Sequence, residues 1–192
     1  PQEIEGILSK ASAIDTQFPA DVVARIVRFS QGLPHYPHLL GLECAYKCIM
    51  AGTNVVTVEI LDEAIEDAID KAAATITKAY RDATSSAHQD ALYAQVLLAC
   101  ALAIESSDEA YGGFRPAHVL APFREITTDP TREISTFNGH LTAFAEDDVR
   151  GPVLTRLGKQ RNYRFRFSDP MLPPYVLMKG HQSGLMPVKY LV

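Results

Sequence analysis

Ser30-Gln31-Gly32-Leu33-Pro34-His35-Tyr36-Pro37-His38-Leu39-Leu40-Gly41 joins two helices and sets the plan of the first half of the chain. Gly32 stands where a helix C-cap is expected. Pro34 and Pro37 fall in the first turn of the next helix, where a missing N–H costs little. Upstream, Pro19 starts a helix in which Val22, Val23, Ile26, Val27 and Phe29 recur at helical spacing. Downstream, Leu39, Leu40, Leu42, Ala45, Tyr46 and Ile49 are the apolar positions of a helix over 34–50, which Gly52 ends. The first turn of that helix points free backbone N–H groups and the positive end of its dipole outward, a geometry suited to an anion such as a nucleotide phosphate. Gly32, Pro34, His35, Tyr36 and His38 are therefore the candidate cofactor-binding residues. The chain holds no Gly-x-x-x-x-Gly-Lys-Ser/Thr loop to cradle that phosphate.

Working outward, Ile4, Ile7, Leu8 and Ala11 are spaced as a first helix face, and Thr57 is placed to cap a fourth helix. That helix carries Ile60, Ala64, Ile65, Ala68, Ile69 and Ala72 against Glu59, Asp62, Glu63, Glu66, Asp67 and Asp70, an acidic face read as solvated. With no Gly or Pro before Thr84-Ser85-Ser86, it is expected to continue towards Tyr80. The result is a four-helix domain over 1–84.

A second domain is expected over 85–192. Residues 91–103 form a strongly apolar core helix. Gly112-Gly113 marks a turn, and Pro116 opens a short helix with Val119, Leu120 and Phe123. Ser135 is expected to cap a helix carrying Phe137, Leu141 and Phe144, which Asp147-Asp148 ends. Residues 153–157 and 163–167 read as a hairpin around Gly158-Lys159-Gln160-Arg161-Asn162. In its second strand Tyr163, Phe165 and Phe167 face one way and Arg164 and Arg166 the other. A final apolar segment, 172–178, is interrupted by Pro173-Pro174. The fold class is mainly α, a four-helix bundle followed by three helices and a small β-hairpin, the order of a winged helix.

Charge is split along the chain. Residues 1–149 carry 10 Lys and Arg against 22 Asp and Glu, whereas 150–192 carry 8 against 1. Arg156, Lys159, Arg161, Arg164 and Arg166 lie within eleven residues with no acid among them. They are the candidate nucleic-acid contacts, with Thr136, Asn138 and His140 on the helix before them. That helix has no Lys or Arg and ends in acids, which argues for non-specific, hairpin-led contact. The plainer reading of these cations is a solvated hairpin.

Three cysteines, Cys44, Cys48 and Cys100, are too few for a disulfide framework and fit a reducing cytoplasm. Cys44 and Cys48 could ligate a metal with His35 and His38, but small buried apolar residues are the far commoner role, and no metal is expected. No apolar run approaches the roughly 18 residues of a membrane span. Pro1-Gln2-Glu3-Ile4-Glu5 is unlike a secretory leader. A chain beginning at Pro without Met is expected to be part of a longer protein.

The bundle, with its Gly32-Leu33-Pro34-His35 turn, resembles the lid that follows the nucleotide-binding core of AAA+ and STAND ATPases. A lid followed by a winged helix is similar to the arrangement in origin-initiator ATPases and related bacterial ATP-binding proteins. Leu97-Leu98-Ala99-Cys100-Ala101-Leu102-Ala103, Arg150-Gly151-Pro152-Val153-Leu154 and Tyr163-Arg164-Phe165-Arg166-Phe167-Ser168-Asp169-Pro170 look like the same bacterial family. The resemblance implies ATP or ADP with Mg in the parent protein, held by a P-loop domain preceding this chain and met at the sensor-2 position. Many such lids place Arg there. His35 is a weaker, pH-dependent cation, which fits nucleotide sensing better than catalysis. The alternative is that His35, Tyr36 and His38 merely cap and pack.

The chain has no Gly-x-Ser-x-Gly elbow and no paired His-x-x-x-His with Glu, so no self-contained active site is expected. DNA is the expected partner of the hairpin. The alternatives are a protein-interaction or self-assembly module, with the acidic helix face of one copy meeting the basic hairpin of another, and a stand-alone transcription regulator.

Overall fold

The computed structural model describes Gly6, residues 16–88, 91–107, 109, 112–146, 150–158 and 163–191. It is mainly helical, with one two-stranded antiparallel sheet among the described residues. The chain divides into two compact units, residues 1–72 with 188–192, and residues 73–187. Of the helix expected around Ile4–Ala11, Gly6 alone is described, and it is helical; Ile4, Ile7, Leu8 and Ala11 lie outside the described residues.

In the first unit, α1 (Ala20–Ser30) follows Pro19 and buries Val22, Ile26 and Phe29, one face at intervals of four and three. Gln31 and Gly32 both adopt left-handed backbone, with φ of 47° and 78°. This reverses the chain and closes α1 through Gln31 N–H to Arg28 O and Leu33 N–H to Ser30 O. The C-cap is thus Gln31, one residue before the expected glycine. α2 (His35–Ala51) buries Tyr36, Leu40, Cys44, Ala45 and Cys48, and ends at Gly52 with φ 66°. α3 (Val58–Asp70) is capped as expected: the Thr57 hydroxyl accepts from Ile60 N–H at 3.3 Å.

α2 and α3 are also tied by charge. Lys47 lies 3.4 Å from Glu63 and 3.0 Å from Asp67, and Lys71 donates to the nearly buried Glu43 at 2.7 Å. The acidic face of α3 is therefore partly a bridging face. Burial pushes the Cys44 thiol up to about 12, with Cys48 adding to the effect. A parallel bridge of Gln17 to Val55 pins the chain before α1 to the α2–α3 connection.

The expected long fourth helix is two helices. α3 closes at Lys71, Ala73 is extended (φ −54°, ψ 138°), and α4 (Ala74–Thr84) begins anew. No breaker residue causes this. The apolar faces of α3 and α4 are buried in different units, so packing overrides an alanine-rich stretch of high helix propensity.

The second unit is built around α5 (Tyr93–Ala103), whose residues from Val96 to Ala103 are all buried. It is packed by α4, α6 (Pro116–Ile126), α7 (Ile134–Ala145) and α8 (Leu172–Gln182). At Gly180 of α8, an added Cβ would stand 2.6 Å from a Leu98 methyl, so glycine lets the two backbones approach. Pro173 and Pro174 lie in the first turn of α8 and start a helix where an interruption was expected. α7 begins two residues earlier than a Ser135 cap requires: Glu133 is the N-cap, and its N–H donates to the Thr136 hydroxyl at 3.4 Å. Asp147 and Asp148, expected to end α7, lie outside the described residues.

β1 (Leu154–Leu157) and β2 (Arg164–Phe167) pair antiparallel, Leu154 opposite Phe167 and Arg156 opposite Phe165. Phe114, between α5 and α6, adds a third stub. It exchanges both backbone hydrogen bonds with Phe165, each at 2.8 Å. Phe114, Phe123, Phe137, Phe144 and Phe165 fill the core between this sheet and the helices.

Candidate functional site

In the first unit, the expected cofactor residues all sit at the turn between α1 and the first turn of α2. Gly32, Pro34, His35 and His38 are exposed, whereas Tyr36 is buried. The His35 and Tyr36 rings meet edge to face, 5.3 Å apart. Backbone donors in this turn are largely committed. Leu33 N–H bonds Ser30 O, Tyr36 N–H bonds Leu33 O at 3.3 Å, and His38 N–H reaches Pro34 O at 3.5 Å. Pro34 and Pro37 have no N–H to offer. The exposed imidazoles are what this turn presents to an anion, rather than an array of free amides. Among the described residues, no group of three His, Cys, Asp or Glu side chains is arranged to hold a metal ion.

In the second unit, the candidate cations are spread over the hairpin. Arg166 is exposed and pairs in register with Thr155, and Arg164 pairs with Leu157, so these side chains share one face of the ribbon. Arg156 lies in register with Phe165 on the other face, also exposed. Its guanidinium covers the Tyr163 ring at 4.9 Å. Lys159 and Arg161 lie outside the described residues.

Arg164 is not a free cation. Glu109, almost buried, holds Arg115 Nε at 2.6 Å with one carboxylate oxygen and Arg164 Nε at 3.1 Å with the other. This fork ties the segment after α5 to the start of α6 and to β2. Glu109 and Arg115 are 55 and 49 residues from Arg164 in sequence. No local spacing signals their meeting.

The three α7 residues expected to contact nucleic acid separate. Thr136 is half-buried and occupied at the helix start. His140 is half-buried, packed edge to face on Tyr93 at 4.7 Å. Desolvation, with the Arg150 charge second, holds it below its ordinary 6.5. Asn138 is exposed, beside Ser135 and Gly139 on an uncharged outer face.

Arg150 has a role that its place in the sequence does not announce. Its guanidinium stacks on Tyr93 at 3.4 Å and donates to the carbonyls of Ala83, at 3.1 Å, and Ser85 at the end of α4. A cation at a helix C-terminus satisfies its last carbonyls and its dipole. Arg150 is thereby structural. A nearby cleft of about 280 Å³ is lined by Lys78, Asp82, Pro152, Val153, Asp169 and Leu172, and its Lys78 and Asp82 pair with each other.

No helix among the described residues is long and apolar enough to cross a membrane. Comparison with known proteins finds no matching family model, no matching curated protein and no matching solved structure.

Proposed function

We propose that the second unit is a winged-helix module that contacts duplex DNA non-specifically through its basic hairpin, and that the first unit is the lid of an ATP-binding protein. The observation that carries this reading is the order α5, Phe114 stub, α6, α7, β1, β2, with the stub paired to β2. That is the order of a winged helix. The exposed Arg156 and Arg166, on the two faces of a hairpin whose first strand packs on α7, supply phosphate contacts. The neutral outer face of α7 supports backbone contact over base readout.

On the lid side, His35 and His38 are the exposed groups that a nucleotide held by a P-loop domain outside this chain would meet. The resemblance implies ATP or ADP with Mg at that domain. The residues here fit a phosphate contact through imidazole and carry no metal-ligating cluster among those described. Nucleotide states that touch the lid differently shift its equilibrium, and that shift controls the DNA-binding module. This chain contributes binding and switching rather than chemistry.

Fluorescence anisotropy of a labelled duplex, titrated across salt, tests the DNA reading. Binding weakens steeply with salt. Arg156→Glu with Arg166→Glu reduces the slope of log affinity against log salt by about 2, since each phosphate neutralised adds roughly 0.9 to it. Absence of binding at low salt removes the proposal for this chain.

A further inference from the structure

α2 has two apolar faces. One is buried against α1 and α3. On the other, Leu42, Tyr46, Ile49 and Met50 are 52%, 58%, 69% and 87% exposed. His35 and His38 are exposed on the same side, and Leu39 is half-buried. Positions 35, 39, 42, 46 and 49 alternate by four and three, the spacing of a helix-pairing seam. The two charged residues of α2 are both drawn away from it: Glu43 is held by Lys71, and Lys47 by Glu63 and Asp67. The outer face carries no Asp, Glu, Lys or Arg over 15 residue steps, about 22 Å of helix.

We propose that this face of α2 docks on the same face of a second copy of the chain, the two helices running antiparallel about a two-fold axis. Four-and-three spacing calls for a helix as occupant. A seam without charge meets itself without repulsion, whereas a polyanion or a charged segment finds no counter-charge on it. Antiparallel pairing sets Leu39 against the partner's Ile49 and Met50, and Leu42 against the partner's Tyr46. It also lays each helix N-terminus beside the partner's C-terminus, the favourable arrangement of two dipoles. The four exposed side chains offer on the order of 500 Å² per copy. Two copies together reach about 1,000 Å², just below the roughly 1,200 Å² at which stable interfaces begin and within the range of weak ones. The dimer is accordingly weak, with a dissociation constant in roughly the micromolar range. Unlike pairing of an acidic face with the basic hairpin, it does not weaken with salt.

Equilibrium sedimentation of the whole chain over a concentration series, at low and high salt, tests this. The wild type forms dimers and nothing larger, equally at both salts. Leu42→Glu with Ile49→Glu weakens dimerisation at least about tenfold, as does Tyr46→Lys, a second variant at an exposed position. Helix content by circular dichroism stays that of the wild type in both, and Arg156→Glu with Arg166→Glu dimerises as the wild type does. A wild type that stays monomeric gives the face to another segment or partner and overturns the proposal. So does association that salt abolishes, or that survives both α2 variants.

Discussion

Among the described helices, α2 and α5 both carry apolar residues on opposite sides, and the protein treats them oppositely. α5 is enclosed by four helices, and every residue from Val96 to Ala103 is buried. α2 is covered on one side and leaves Leu42, Tyr46, Ile49 and Met50 in water. Apolar content alone does not say which will happen. The number of neighbours that a unit can wrap around a helix does. Among the described elements of the first unit, the helices that pack on α2 are α1 and α3.

Truncating one leucine in each helix separates the two cases. Leu98→Ala in α5 costs about 2–5 kcal/mol, because the cavity opens among fully packed neighbours. Denaturant unfolding measures it. Gly180→Ala pushes a methyl into Leu98 from α8 and costs about 1–3 kcal/mol. A neutral result there would mean that α5 and α8 are not in close contact. Glu109→Gln leaves the partly exposed Arg115 and Arg164 without their anion and costs about 1–2 kcal/mol, discounted for solvent screening. It also frees Arg164 and so strengthens DNA binding in the anisotropy titration.

A smaller effect appears with pH at the N-terminal end of α5. His140 is held below 6.5 in the folded chain, so the unfolded chain takes up its proton first as pH falls. This contribution is fully present above about 6.5, the unfolded value, and is lost as pH falls below it through the lower value that His140 has in the folded chain. His140→Gln flattens that part of the stability profile. Smallest of all, Leu42→Ala in α2 changes the stability of the monomer by no more than about 0.5 kcal/mol, since half its surface is already wet.

The parts of this fold legible in the sequence are those set by local chemistry. Thr57, Gly52 and Pro116 mark helix ends through their own hydrogen bonds or dihedral limits. The alternation of Phe165 and Phe167 with Arg164 and Arg166 follows from the period of a strand. What stayed hidden depends on distant residues. The break between α3 and α4 has no breaker in it. The Phe114 stub is a single residue paired across fifty-one positions of chain. The Glu109 fork engages Arg164, one of the expected DNA contacts, in an ion pair. At the α1–α2 turn, sequence located the exposed imidazoles but not that the amides beside them were already bonded. Helical periodicity marked Leu42, Tyr46 and Ile49 as apolar positions, and only the packing shows them uncovered.

Amide hydrogen exchange on the whole chain, with and without duplex DNA at low salt, tests the functional reading most directly. α5 is expected to exchange at the rate of global unfolding, and DNA is expected to slow exchange at 154–157 and 164–167 while leaving α2 unchanged. Protection by DNA along α2, or an unchanged hairpin at saturating DNA, would contradict that reading.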